Sequence, residues 1–365
     1  MFIPGLQLSR LFYSEVIKPL LDAEFPGLRY AAALIGSGSE VLGYDTEMST
    51  DHHWGPRLLL FLGETEYAAL RDPLHRLFSH KLPYEFLGYS TNFGAPIFED
   101  GDHGTQLLER IQSGAVNHRI EIFTLRAFMQ MALVWDMDQP LTPQDWLTFP
   151  QHRLLAITAG AVYHDVLGLQ ALREQLAYYP PDVWRYLLAA GWQRIAQEEH
   201  LMPRAGFVGD ELGSSLIAAR LVRDIMHLCF LMERQYAPYA KWFGTAFAAL
   251  RCAPDFLPAL AQVNQAGTWQ TREQHLSLAY EKLAQMHNAL RLTPPIPEQV
   301  SPFHGRPFQV IHAWRFAEAL RATLTDPVVL QIAQHTMIGS IDQLSDNTDL
   351  LENPSLRITL KRLYE

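Results

Sequence analysis

Apolar and polar positions alternate along the chain in two textures, and the change falls near residue 140. The first texture centres on residues 31–62. An apolar run, Ala31–Ile35, enters a small-residue turn, Gly36-Ser37-Gly38-Ser39, and an irregular polar loop follows. Asp51-His52-His53 then opens a segment that is strongly apolar from Leu58 to Leu62. This predicts strand, glycine turn, loop and strand, with Asp51 and His53 at i and i+2 on one face of the second strand. Upstream, Leu8, Leu11, Phe12, Val16 and Leu20 recur at helical spacing, with Pro19 expected to kink or interrupt the helix. Downstream, Glu64–Ser79 reads as a helix bent at Asp72-Pro73. Tyr84–Ser90 and Asn117–Phe123 read as strands, Asn92–Gly104 as a loop, and Leu125–Trp135 as a helix.

After Leu141 nearly every segment has helical period. Thr142-Pro143-Gln144-Asp145 is a capped helix start, with Thr as N-cap and Pro at the first helical position. Pro180-Pro181-Asp182 introduces a helix through Trp184, Leu187, Leu188, Trp192 and Ile195. Further helices are expected at Gly209–Gln235, Ala237–Leu250, Arg272–Leu290, Pro307–Leu324 and Asp326–Met337, with the Pro-rich Thr293–Pro302 as a stiff connector. The fold class is therefore α+β: an N-terminal domain at 1–140 with a small mixed sheet and helices, then an all-α domain at 141–365.

Composition narrows the function classes. The 365 residues are 48% hydrophobic and 19% charged, which fits a globular protein with a large core. The formal net charge of −10 argues against a broad nucleic-acid or anionic-membrane surface. Cys229 and Cys252, both in apolar helical contexts, read as buried thiols of a reduced, cytoplasmic protein. Met1-Phe2-Ile3-Pro4-Gly5 has no basic region followed by a long apolar run, so no signal peptide is expected, and no apolar stretch reaches the length of a membrane span.

Gly38-Ser39 precedes Asp51 by eleven residues and Gly36-Ser37 by thirteen. Either register resembles the DNA-polymerase-beta-like nucleotidyltransferase superfamily, which reads apolar strand, Gly-Ser, a spacer of this length, Asp-x-Asp/Glu, and a third acid on a later strand. Glu121, alternating with Ile120 and Ile122, occupies the third position. The whole chain also resembles a bacterial DUF4037-type family of nucleotidyltransferase-like proteins at GSGSEVLGYDTE-STDHHWG, AYYPPDVWRY, GDELGSSLIAARLVRD, RQYAPYAKWFG and HGRPFQVI. The resemblance implies transfer of a nucleoside monophosphate, AMP from ATP, to a hydroxyl of a small-molecule or protein acceptor in a cleft between the domains. Asp51, His53 and Glu121 would hold Mg²⁺ or Mn²⁺, and the turn Gly36, Ser37, Gly38 and Ser39 would cradle phosphates. Kanamycin-type relatives place a lysine of the helical domain on the triphosphate, a role that falls here to Lys241, and they suggest a homodimer by analogy.

His53 departs from the superfamily's second acid, and imidazole suits Mg²⁺ poorly. It is a metal ligand in an altered site, or Asp45 or Glu47 substitutes, or the site binds a nucleotide without transferring it. Arg57 can reach a phosphate, pair with Glu121, or serve as a structural ion pair. Glu199 is the candidate general base, whereas Asp210 reads as a helix cap. Tyr163-His164-Asp165 offers a weaker phosphohydrolase-type His-Asp pair. Arg306 is either a phosphate clamp or an ion-pair partner. Gly339-Ser340 reads as a capped turn, and the Trp and Tyr clusters as core.

Overall fold

A computed structural model describes residues 2–51, 53–98 and 104–365. His52, and residues 99–103 of the expected Asn92–Gly104 loop, lie outside the described residues. The chain divides into two compact units: Met1–Pro140 with Arg153–Ala177, and Leu141–His152 with Tyr178–Glu365.

The first unit is built on a four-stranded mixed sheet, ordered Arg119–Thr124, Arg57–Leu62, Tyr30–Leu34, Ala161–Asp165. Arg57–Leu62 pairs parallel with Arg119–Thr124, placing Arg57 beside Arg119 and Leu59 beside Glu121. It pairs antiparallel with Tyr30–Leu34, which also pairs antiparallel with Ala161–Asp165 across a bulge between Ala32 and Ala33. One sheet face carries Leu58, Leu60, Leu62, Ile120 and Ile122 into a core with Leu8, Phe12, Ile17, Leu74 and Phe78. Burial of these side chains is what fixes the register, because a one-residue slip would turn them out to solvent.

The N-terminal helix runs through Pro19 by widening rather than breaking. Gly5–Phe12 is α-helical, Tyr13–Ile17 is a π turn, and Lys18–Glu24 is α-helical again with the proline in its first turn. There the missing proline N–H costs least. The expected bend at Pro73 does not end its helix either: Glu64–Lys81 is continuous, anchored by the fully buried Leu74 and Phe78 just beyond the proline.

The fourth strand corrects the reading of residues beyond 141 as wholly helical. Ala161–Asp165 is a strand, and 153–177 packs with the first unit. The apolar run there is too short for periodicity to separate strand from helix. What decides it is the free edge of Tyr30–Leu34, whose backbone groups need a partner.

The second unit is helical except for a two-residue hairpin, Ser301–Pro302 with Gln309–Val310. Its main helices are Pro181–Glu198, Glu211–Met232, Ala240–Ala248, Ala253–Gln265, Trp269–Ala289, Trp314–Arg321 and Pro327–His335. Trp192 stacks on Phe316 with ring centroids 4.1 Å apart at the centre of its core. Thr142 caps its helix as read, in a capping box with Asp145, and in the turn at Gly339-Ser340 the Gln343 Oε1 accepts from Ser340 N at 3.1 Å. Among the described residues no helix is long and apolar enough to cross a membrane.

Candidate functional site

The glycine turn leaves the buried strand Tyr30–Leu34 with Gly36 at φ +95° and Gly38 at φ +130°, conformations in which other residues are strained. Ser37 and Gly38 are exposed. The turn is held from beneath. Arg57 Nε and Nη2 donate to Glu40 Oε1 at 2.8 and 2.6 Å, and Nη2 also donates to the Ser37 carbonyl at 2.6 Å. Both side chains are buried, 7% and 5% exposed. A Cβ on Gly38 would meet Glu40 Oε2 at 2.5 Å and Arg57 Nη2 at 2.6 Å, so glycine is needed for the closeness of this clamp as well as for its φ. Arg57 therefore pairs with Glu40, not with Glu121.

Asp51 and His53 do not sit on a strand. Glu47–Asp51 is a 3₁₀ helix, the strand begins only at Arg57, and His53 adopts a left-handed φ of +48°. Gly55 and Pro56 explain the delay, since proline has no N–H for the ladder and Gly55 takes φ +149°. Asp51 lines an open pocket of about 810 Å³ with Phe2, Glu47, Thr50, Tyr89 and Leu108; Glu121 is not among the residues lining it. Asp45, one of the substitutes for the missing acid, is occupied: its Oδ2 accepts from Gly5 N at 2.7 Å and from Trp54 Nε1 at 2.9 Å.

His53 and Glu121 come together through a residue that the motif does not include. Arg119 Nη1 donates to His53 Nδ1 at 2.7 Å and to Gln106 Oε1 at 2.9 Å, while its Nη2 donates to Glu121 Oε1 at 2.8 Å. Gln106 N also donates to His53 Nδ1, at 3.3 Å. With two donors on Nδ1, the ring proton belongs on Nε2, and the one lone pair of a neutral imidazole is already used. A guanidinium thus stands between His53 and Glu121, where a metal ion shared by the two would have to lie. Among the described residues, no three His, Cys, Asp or Glu side chains are grouped closely enough to hold a metal ion. The expected metal set does not fit this arrangement.

Glu121 itself lies as the alternation implies. Ile120 and Ile122 are buried in the core, and Glu121 points to the other face with 39% of its side chain exposed. That is the face of Arg57 and therefore of the glycine turn.

In the second unit, Glu199 is a loop anchor. It is buried, and its oxygens accept from Ile311 N at 2.8 Å and Ala313 N at 3.0 Å, fixing the approach to the Trp314–Arg321 helix. Burial pushes its carboxyl up to about 7, against the pull of those N–H groups. With both oxygens committed inward, it is not placed to deprotonate an acceptor, which corrects the general-base assignment. Lys241 is exposed on the Ala240–Ala248 helix, its Nζ 5.0 Å from the ring centre of Trp242. Asp210 caps its helix, accepting from Gly213 N at 2.7 Å. In the first unit, Asp165 gathers the backbone N–H groups of Leu167, Gly168, Leu169 and Gln170, so it is a cap and not half of a His-Asp metal pair.

Sequence reasoning missed Glu40, Arg119 and Gln106. The signal for Arg119 was present: at i−2 from Glu121 on a strand it must share that residue's face.

A solved structure of a nucleotidyltransferase-like protein from Exiguobacterium sibiricum aligns over 87% of this chain and 89% of its own, with 10% identity and a TM-score of 0.32. No curated protein matches the chain. The family model described as "Domain of unknown function (DUF4037)" matches residues 146–243. That stretch is similar to the family and includes the motifs AYYPPDVWRY and GDELGSSLIAARLVRD.

Proposed function

We propose that the first unit binds a nucleotide on its glycine turn and holds it without transferring it. The observation that carries this reading is the Arg119 guanidinium between His53 and Glu121. The exposed Ser37 and Gly38 of the turn can present backbone N–H groups to phosphate oxygens, whereas the Gly36 N–H is already given to the Ala156 carbonyl at 2.8 Å. The buried Arg57–Glu40 clamp keeps that turn in one shape, so little ordering is required on binding. Arg119, once released by Glu121, is a fork suited to phosphate. Transfer needs carboxylates that hold a divalent cation, and here His53 and Glu121 are each neutralised or occupied by a protein cation.

A second reading, transfer of AMP from ATP to a hydroxyl of a small molecule or protein, is favoured by one feature. Glu121 remains partly exposed on the same face as the clamp under the turn. Calorimetric titration with ATP, with and without Mn²⁺, paired with a pyrophosphate-release assay over a panel of hydroxyl acceptors, separates the two. Binding is expected with weak dependence on Mn²⁺, no pyrophosphate, and loss of binding in Gly38→Ala. Pyrophosphate release that disappears in Glu121→Gln establishes the transfer reading instead. Failure of ATP to bind the wild-type protein overturns both.

A further inference from the structure

The second unit encloses a pocket of about 310 Å³ that no nucleotide chemistry explains. The helices carrying His152, His227 and Phe243 wall one side, and the segment Asp342–Glu352 closes the other. Its lining is mainly apolar, with Tyr239, Phe243 and Leu351 as the larger walls. His227 packs against the Phe243 ring at 4.6 Å, and burial lowers its pKa to about 3, so it contributes no charge.

The charges are unbalanced. Three carboxylates, Asp342, Asp346 and Glu352, face one permanent cation, Arg223. Two of the three have partners in the protein. Glu352 lies 3.1 Å from His152 Nε2, and Asp346 lies 3.8 Å from Arg223 Nη2. Asp342 is the exception. It is 8% exposed, its oxygens take the Gln151 backbone N–H at 3.1 and 3.2 Å, and the two charged groups that act on it, His152 and Arg223, are already paired with Glu352 and Asp346. A buried carboxylate whose neighbouring cations already serve other carboxylates is costly to ionise, and one on the wall of a cavity is a place for a cation supplied from outside. Burial raises its pKa to about 6, against the pull of His152, the Gln151 N–H and Arg223.

We propose that this pocket is a binding site for a small organic ammonium ion with a flat apolar body, the ammonium paired with Asp342 and the body packed against Phe243 and Tyr239. An aromatic face beside the cation adds to the attraction. A bare metal ion is disfavoured, because no group of three ligating side chains forms among the described residues.

The test is a series of probes of one shape and three charges: phenethylamine, 2-phenylethanol and 3-phenylpropionate, titrated calorimetrically into the full chain. The amine is expected to bind at least about tenfold tighter than the alcohol, the scale of one charge-assisted hydrogen bond, with the carboxylate weakest. Asp342→Asn keeps the acceptor for Gln151 N and should bring amine and alcohol to equal affinity. Phe243→Ala should weaken both. If Asp342→Asn does not fold, the charge series on the wild type and the Phe243 variant still decide. Equal binding of amine and alcohol, a preference for the carboxylate, amine binding untouched in Asp342→Asn, or no binding of any probe at millimolar concentration each overturns the proposal.

Discussion

Replacing Arg57 by Met tests whether the glycine turn is held by a buried charge pair. The guanidinium donates three hydrogen bonds, two to Glu40 and one to the Ser37 carbonyl, all between 2.6 and 2.8 Å. Methionine fills part of the volume but leaves the Glu40 carboxylate buried and alone. Breaking one side of such a pair costs about 3–5 kcal/mol, most of it the orphaned charge. For a unit of this size each kcal/mol moves the melting point by about 2–4 °C, so a fall of roughly 6–20 °C is expected. Because the lost pair lies in the first unit, the assay must report on that unit. Amide hydrogen exchange of Leu59 and Leu60, in the strand that Arg57 opens, does so. The double variant Arg57→Met, Glu40→Leu removes the lone charge and should regain most of the loss. The reasoning fails if Arg57→Met costs less than about 1 kcal/mol, the range of a solvated pair, or if the two single losses simply add in the double variant.

Two further outcomes follow from other groups. Glu199→Gln keeps one acceptor and turns an amide against the other N–H. It should lose about 1–3 kcal/mol while ATP affinity in calorimetry stays unchanged, which a nucleotide ligand would not allow. Since the folded carboxyl titrates near 7 against an ordinary 4.5, the native form binds the extra proton. The wild type should therefore lose stability as pH rises through that interval, and the Gln variant should not. His118 works in the opposite sense. Its Nδ1 accepts from Ile120 N at 3.1 Å and its Nε2 lies 3.3 Å from the His75 carbonyl, and burial lowers its pKa from 6.5 to about 4. The unfolded chain then binds the extra proton, so stability present above pH 6.5 is lost as pH falls toward 4. The integrated loss is about 3 kcal/mol, and urea midpoints against pH should show a shallower acid limb in His118→Gln.

Local chemistry was the legible part of this chain. Capping residues act within one turn of themselves, so Thr142 and Asp210 could be read directly, and the glycine turn follows from its own φ requirements. The alternation of Ile120, Glu121 and Ile122 settled a side-chain direction because strand geometry has a period of two. Long-range pairing was less visible. Ala161–Asp165 becomes a strand only because an edge elsewhere in the unit needs it. Asp51 and His53 were given strand geometry by motif spacing alone, although Gly55-Pro56 between them and the apolar run opposes ladder formation.

The decisive information about the sheet face that carries Arg57 and Glu121 lay in charge balance rather than in any motif. A site for a divalent cation needs carboxylates in excess of the protein's own cations, since the metal must be their best partner. Here Glu40 is matched by Arg57 and Glu121 by Arg119, and both arginines lie side by side across the parallel pair Arg57–Leu62 and Arg119–Thr124. Guanidinium carries its charge at every accessible pH, so neither carboxylate is released by titration of its partner. What can displace Glu121 from Arg119 is a competing anion with more acceptor oxygens than a carboxylate. A phosphate meets that condition.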